Sequence, residues 1–518
     1  MNIISRVKHQ KTWLLVILLI IALGVRLPGL YSRAISYDEA ITLLETAGNV
    51  PPSWPYQPVP ASEVQKQFKG TPTLSKIAEY LRQTDVHPPF YFWLLSLWRR
   101  WLGFSIETSR IFSVVCSLGN VLVLYLVLQA GQIERPLIPC LVFAISSSAI
   151  FAGHDTRPYA LASLLIGMGT LFAYLATEAK NRNKTRLVVY STAMALCCGL
   201  AFLTNYLSLF PIGIILLWFT INLWFGARLL AILSPLMAIS ICLTGLQTWL
   251  TQLNARPDQS TGFLGFFREI AKIISRNLFI IWTPAFTNKE LKLVLMLLFI
   301  VVVLILIGLS IAAIQRYYSQ TNRKLLLLFI GLAVAPSIGI FLLDFISKKN
   351  LHGYRYFFFA VPALSVLITY GITKPIFSQK VWIRYLLPIL LCIQLTGVNW
   401  GLETIPSQTG SNFRSLARTI KASSSSHVVV VGNGFGRGHP GAVIYELAPE
   451  TMIVVLSKNS NLEKLQRNIQ NYQDVWIVPS SERPTASIEK KLLNLIQTSQ
   501  QYTSKPHQDL AVHFQKRL

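Results

Sequence analysis

Eleven mostly apolar stretches punctuate the first 400 positions: 12–30, 109–130, 136–152, 158–178, 186–203, 205–224, 228–246, 290–314, 325–346, 354–373 and 381–400. Most are long enough to cross a hydrocarbon layer about 30 Å thick as a helix. They predict a mainly α-helical polytopic membrane protein over residues 1–400. The first stretch reads as a span and not as a cleaved leader. Arg26-Leu27-Pro28-Gly29 stands where a small-residue cleavage site would be needed.

Residues 88–104 (PPFYFWLLSLWRRWLGF) are apolar but short, begin with two prolines and contain Arg99 and Arg100. Whether this segment crosses sets the sidedness of everything after it. Basic loop residues collect on the cytoplasmic side. If 88–104 stays at the surface as an interfacial or re-entrant helix and the N-terminus is cytoplasmic, the cluster Lys180, Arg182, Lys184 and Arg186 faces inward; if it crosses, the cluster faces outward. The first arrangement obeys the rule. It gives eleven spans and three large outer elements: a first loop (31–108), a loop near 247–289, and a tail from 401.

Past residue 400 the pattern changes. Helix 411–422, strand 427–431, helix 441–448, strand 452–456, helix 461–472, strand 475–478 and helix 487–499 alternate. That order predicts a small C-terminal α/β domain over 401–518, built on a parallel sheet. No internal repeat is evident, which speaks against a solenoid.

Composition narrows the class. Lys plus Arg total 47 against 22 acids, a net charge of +25, yet 52% of residues are hydrophobic and only 13% charged. A disordered basic tail lacks that apolar content, and a soluble nucleic-acid binder carries more charge, so nucleic acid is not an expected partner. The surplus of cations lies largely in short cytoplasmic connections. All six cysteines sit inside apolar runs, without metal-ligand spacing or CxxC pairing.

Because acids are scarce, their positions inform. Fourteen of the 22 precede residue 401. Asp38 and Glu39 follow the first span, in SYDEAITLLE, and Asp155 lies between two spans, in FAGHDTRPYAL. With 88–104 at the surface, all three fall on the outer side. Carboxylates at the mouth of a helical bundle act as a general base, hold a divalent metal, or merely cap helices. His87, in His87-Pro88-Pro89, opens the surface segment, where prolines fix the start of a helix. It can hydrogen-bond, ligate metal or meet phosphate. Arg157 and the pair Arg355-Tyr356 stand at outer ends of spans, with His352 and Tyr354 beside the pair. An arginine there snorkels to the interface or grips a phosphate with its planar fork. The tail's GNGFGRGHPG (432–441) follows a strand, but Arg437 stands where a dinucleotide fingerprint needs glycine, and no Lys-Ser/Thr follows. It reads as a loop and not as a nucleotide site.

Taken in order, these residues resemble a known family. A span, then Tyr-Asp-Glu-Ala, then His-Pro-Pro-Phe-Tyr-Phe-Trp, then Asp-x-Arg-Pro-Tyr, then a late Arg-Tyr-Phe opening a span is similar to the bacterial dolichyl-phosphate-mannose protein mannosyltransferase-like enzymes. These are C-type membrane glycosyltransferases, related to the aminoarabinose lipid A transferases. The resemblance runs over about residues 10–400. It implies a fold of about 11–13 transmembrane helices and transfer of a hexosyl or pentosyl group from a polyprenyl-phosphate donor. The acceptor would be a protein, lipid or glycan, met at the periplasmic face of the inner membrane. It implies Asp38 as the essential acid and base, with Glu39 beside it, and Asp155 as a second acid; Thr156 replaces the family's common alanine. Arg355 would hold donor phosphate, with Tyr356, Arg157 and His87 as further phosphate contacts. No cofactor is required, although Asp38 and Asp155 could hold a divalent metal. The aminoarabinose transferases resemble Glu-Lys-Pro where this chain has His87-Pro88-Pro89, so their metal site is not carried over. Two other readings stay in view. A transporter or flippase for a lipid-linked sugar would place charges nearer the bilayer midplane, and an envelope scaffold would tolerate loss of Asp38 and Asp155.

Overall fold

The computed structural model of the chain describes residues 3–254, 320–348, 354–373, 413–423, 426–432, 438–456, 460–479, 488–499, 501–505 and 511–517, with 308 and 391. The expected spans 290–314 and 381–400, and the loop from 255 to 289, lie outside them. The helices through residue 130 are α1 (Ile3–Gly24), α2 (Leu27–Tyr31), α3 (Tyr37–Ala47), α4 (Ala61–Gln65), α5 (Leu74–Thr84), α6 (Phe90–Leu102) and α7 (Ile106–Ala130). There follow α8 (Leu137–Ala144), α9 (Ser147–His154), α10 (Tyr159–Ala179), α11 (Lys184–Phe202), α12 (Leu209–Leu223), α13 (Arg228–Asn254), α14 (Gln320–Ser347) and α15 (Val361–Thr373). The tail holds α16 (Phe413–Ala422), α17 (Gly438–Glu446), α18 (Leu462–Ile469) and α19 (Ile488–Thr498).

The chain divides into two compact units. The first comprises Met1–Tyr31, Leu81–Tyr91 and Arg110–Leu402; the second comprises Ser32–Tyr80, Phe92–Ser109 and Glu403–Leu518. The division near residue 402 sits close to the sequence boundary at 400. The second unit, however, is more than the tail, because most of the first loop folds with it.

Within the first unit, seven helical segments among the described residues are long and apolar enough to cross a membrane. They are Thr12–Tyr31, Ile106–Ala130, Tyr159–Ala179, Lys184–Phe202, Tyr206–Leu223, Arg228–Leu253 and Arg323–Ser347. The stretch read as one span over 136–152 is instead the pair α8 and α9, bent by 62°. Ser146 breaks it: its side chain accepts from Ala149 N and starts a new helix. Arg26, fully buried at the end of the first span, ties this break down. Its guanidinium donates to Ser117 Oγ (2.9 Å) and to the carbonyls of Ala22 (2.6 Å), Ala144 (3.0 Å) and Ala149 (3.2 Å). The break supplies acceptors that an unbroken helix would keep for itself. The segment 354–373 begins as a 3-10 helix over Tyr354–Ala360 and becomes α-helical only at Val361.

The second unit is a six-stranded sheet with helices on both faces. The strands are β1 (Val59–Pro60), β2 (His427–Gly432), β3 (Met452–Leu456), β4 (Asp474–Val478), β5 (Tyr502–Lys505) and β6 (Val512–Lys516), ordered β1-β3-β2-β4-β6-β5. The central β3, β2 and β4 are parallel, as the alternation of elements predicts. The antiparallel β5 and β6 extend that sheet, and β1, contributed by the first loop, pairs with β3 through Val59–Ile453 and Pro60–Met452. The side-chain alternation along β2 divides the core. Val429 and Val431 pack with α3, α16 and α17, while Val428 and Val430 pack with α18 and α19.

The first loop docks through specific polar contacts. The Gln65 amide donates to the carbonyls of Ile444 (2.9 Å) and Leu447 (2.8 Å), closing the end of α17. Glu446 accepts from Arg414 Nε (2.8 Å) and from Ile35 N (2.9 Å). α6 is 13 residues long, roughly 20 Å at 1.5 Å per residue, well short of a membrane crossing. Its Arg99, 1% exposed, donates to the carbonyls of Leu43 (2.8 Å) and Phe68 (2.6 Å) and to Thr46 Oγ1. α3 ends at Gly48, whose φ of +78° suits a residue without a Cβ.

Arg99→Met keeps the apolar stem but strands several buried acceptors. It is expected to destabilise the second unit by on the order of 3–5 kcal/mol. Limited proteolysis of the tail and loop reads this out; wild-type resistance would refute it.

Candidate functional site

The site in the first unit grows from the short linker between α5 and α6. The linker is pinned at both ends. The carbonyl of Leu81 accepts from Gln252 Nε2 of α13 (3.0 Å), and Phe90 N donates to the carbonyl of Leu203, just past α11 (3.0 Å). Pro88 and Pro89 precede the first helical residue, where no backbone donor is missed. Between these anchors lie Asp85 and His87. Asp85 Oδ1 is 2.8 Å from His87 Nδ1 and also accepts from the amide of Val86.

Arg157 reaches this pair from the turn between α9 and α10. α9 ends at Asp155, whose backbone is extended, and the Asp155 carbonyl accepts from Arg157 N (2.7 Å) and Ser113 Oγ (2.7 Å). This tight turn, closed by Pro158 before α10, buries Asp155, Thr156 and Arg157. Arg157 NH1 lies 3.6 Å from Asp85 Oδ2, and NH2 lies 3.0 Å from His87 Nδ1 and 3.4 Å from Nε2.

Nδ1 cannot satisfy both neighbours at once. A guanidinium only donates and a carboxylate only accepts. With Asp85 ionised, Nδ1–H donates to it. Burial alone would raise the pKa of Asp85. The charges of His87 and Arg157, with the hydrogen bonds from His87 and Val86, outweigh it and hold the carboxyl well below the usual carboxylate range.

His87 also lines a partly open cavity, in which the space not filled by atoms, open solvent included, is about 380 Å³. Tyr206, Trp249, Asn205, Gln252 and Tyr356 line it as well, so His87 and Tyr356, both singled out from sequence, share one wall. Tyr206 and Trp249 have ring centroids 6.0 Å apart, and Phe202 packs edge-on against both. Asn205 caps the 3-10 turn that carries Tyr206, its Oδ1 accepting from Leu207 N (3.0 Å). The arrangement can bind an anion and present aromatic and amide groups beside it.

The other sequence candidates fall elsewhere. The side chain of Arg355 lies outside the described residues. Asp38 and Glu39 belong to the second unit, in the first turn of α3. Asp38 is half-buried, and Thr42 donates to its carbonyl (3.0 Å). Glu39 is fully buried and forms a capping box: Ser36 N donates to its Oε2 (3.0 Å), and Glu39 N donates to Ser36 Oγ (3.2 Å). Its Oε1 is 2.6 Å from Arg33. Both oxygens of Glu39 are thus engaged in holding the start of α3, an assignment that the motif Ser36-x-x-Glu39 carries on its face. Among the described residues no three His, Cys, Asp or Glu side chains gather as metal ligands, and Asp38 and Asp155 belong to different units. The loop 433–437 lies outside the described residues. His439, just after it, packs edge-on against Phe413, and burial lowers its pKa to about 4, so it is neutral at pH 7.

Asp85 is the member of the cluster that reading the sequence missed. Its position two residues before His87 was the available clue.

Asp85→Asn removes an ion that is stabilised in the folded state. Because the folded pKa is depressed, that stabilisation is complete above the unfolded value of about 4 and is lost as the pH falls below it. The variant is therefore expected to melt below the wild type at pH 7, by an amount equivalent to about 2 kcal/mol or more, with the gap narrowing below about pH 4. Thermal unfolding in detergent across pH checks this. A gap independent of pH would contradict it.

No family model and no curated protein matches the chain. Solved structures do. ArnT from Cupriavidus metallidurans in the apo state aligns with a TM-score of 0.55 at 12% identity, covering 98% of both chains. The same protein bound to undecaprenyl phosphate aligns with a TM-score of 0.54 at 12% identity, covering 96% of this chain and 97% of that one. An oligosaccharyltransferase from Archaeoglobus fulgidus is more distant, with a TM-score of 0.40 at 11% identity over 90% of this chain and 68% of that one. The chain is a multi-pass membrane protein with a small α/β unit, and its fold is that of ArnT from Cupriavidus metallidurans.

Proposed function

We propose that the protein transfers a glycosyl group from a polyprenyl-phosphate donor to an acceptor at the extracytoplasmic face of the cell membrane. The observation that carries this reading is the buried Asp85–His87–Arg157 cluster beside a cavity walled by aromatic and amide side chains, in a chain with the fold of ArnT. One ArnT structure holds undecaprenyl phosphate. An anionic lipid headgroup and a sugar are the two chemistries such a site suits.

In the proposed reaction an acceptor hydroxyl oxygen attacks the anomeric carbon. The bond from that carbon to the phosphate oxygen breaks, and the polyprenyl phosphate leaves with the bonding electron pair. The acceptor's proton passes to Asp38, the base that the family resemblance implies. Arg157, with His87, meets the growing negative charge on the phosphate; a guanidinium fork suits its oxygens. Arg355 and Tyr356 are assigned to the same phosphate. Asp85 holds the imidazole of His87 in one orientation. Asp155, buried at the turn that carries Arg157, positions that arginine. Glu39 is a positioning residue for α3, which carries Asp38, and takes no part in proton transfer. The sugar and the acceptor class await experiment.

Mass spectrometry of envelope glycans and glycolipids identifies the product in cells with and without the gene. In proteoliposomes supplied with that donor and acceptor, Asp38→Asn is expected to lower transfer by about 10²–10⁴-fold with the protein level unchanged. Arg157→Met is expected to weaken both donor binding and turnover. A fully active Asp38→Asn would refute the assigned base. Movement of a lipid-linked sugar across the bilayer without any glycosylated product would support a flippase instead.

A further inference from the structure

The amide side chains that line the cavity, Asn205 and Gln252, have no part in the proposed transfer. Gln252 sits at the end of α13, is 5% exposed and lines the cavity. Its amide has a fixed orientation. The carbonyl of Leu81 can only accept, and it lies 3.0 Å from the Gln252 nitrogen, so Nε2 is the atom that faces Leu81. Oε1 is then an acceptor held away from solvent, with no protein donor among the described residues. A donor entering from the cavity would satisfy such a carbonyl. Around it stand Trp249 and Tyr206, which offer faces for the C–H groups of a ring, and Asn205, whose Oδ1 is already committed to Leu207 N.

We infer that this end of the cavity is the subsite for the donor's sugar ring, and that Gln252 Oε1 is its specificity-determining group, accepting a hydrogen bond from a hydroxyl or amino group of the sugar. This rests on the glycosyltransferase reading and deepens it. It commits the sugar to carrying a hydrogen-bond donor at the position facing α13. A deoxy or O-alkylated sugar at that position leaves the carbonyl unpaired and is rejected, because a site built to pair a hydroxyl discriminates against its absence more strongly than an apolar pocket discriminates by size. The apolar lipid chain gains nothing from Gln252.

The test separates the sugar from the lipid. Equilibrium binding to the full-length protein in nanodiscs is measured for two probes: undecaprenyl phosphate alone, and a panel of undecaprenyl-phosphate hexoses and pentoses. Wild type is expected to bind at least one glycosylated lipid more tightly than the bare one. Gln252→Met, similar in volume, loses the bond to Leu81 as well as the acceptor, so it is expected to weaken both probes, the glycosylated lipid about tenfold more than bare undecaprenyl phosphate. With wild type, removing in turn each hydroxyl of that sugar is expected to cost about tenfold at one position, and Gln252→Met is expected to be indifferent to that same removal. Equal weakening for both probes, no weakening for either, or a wild type that prefers no glycosylated lipid would overturn the inference. Failure of the wild type to bind even the bare lipid would instead overturn the donor reading beneath it.

Discussion

An arginine side chain taken out of water stays charged and must meet acceptors on nearly every N–H. In a chain with few carboxylates, those acceptors are backbone carbonyls, and backbone carbonyls become available only where helices end or break. Arg26 binds the carbonyls exposed at the bend between α8 and α9, and Arg99 binds carbonyls from α3 and from the 3-10 turn before α5. Arg110, also fully buried, donates to the carbonyl of Leu30 at the end of α2 (3.0 Å). Each guanidinium fixes an interruption of a helix, and those interruptions give both units their irregular, site-bearing segments. Arg157 extends the principle: it lies in the turn between two helices, but there it meets Asp85 and His87.

The same economy explains the second unit. A tail with only three parallel strands has a short sheet and open edges. Here β1 from the first loop covers one side, and the antiparallel β6 and β5 extend the other. The first loop supplies a large share of one core face, with Leu43, Leu44, Val64 and Phe68 packed against Ile444, Val443 and Trp476. The tail and most of the first loop, distant in sequence, form one compact unit. Asp38 belongs to that body, so any role it plays depends on the packing of the tail as well as on its own helix.

Much of this was legible in the chain. The lengths of the apolar stretches located six spans to within a few residues, because the hydrocarbon thickness imposes a length on sequence directly; a seventh, read as 228–246, runs on to Leu253. Strand 452–456 and the order of helices and strands in the tail followed from uniform valine-rich runs between amphipathic segments. The span read over 136–152 came out bent, because hydropathy does not register a serine that caps a new helix mid-run. The strands Tyr502–Lys505 and Val512–Lys516 went unread. Each is short, and each alternates polar with apolar residues in a way that a loop imitates. Glu39 carried a capping motif that its acidic neighbour obscured.

By itself, the sequence determined the membrane class, the parallel core of the tail, and the residue types suited to phosphate: His87, Arg157 and Tyr356. Those follow from local rules of length, alternation and chemical type. Only the tertiary structure decided which of them meet. Asp85, unremarkable in the sequence, became the partner of His87 and Arg157 because the α5–α6 linker is pinned at Leu81 and Phe90 beside the α9–α10 turn. Gln252, 165 residues from His87 along the chain, shares its cavity because α13 ends there. Burial, pairing and the orientation of an amide are properties of distant segments brought together, and no local pattern encodes them.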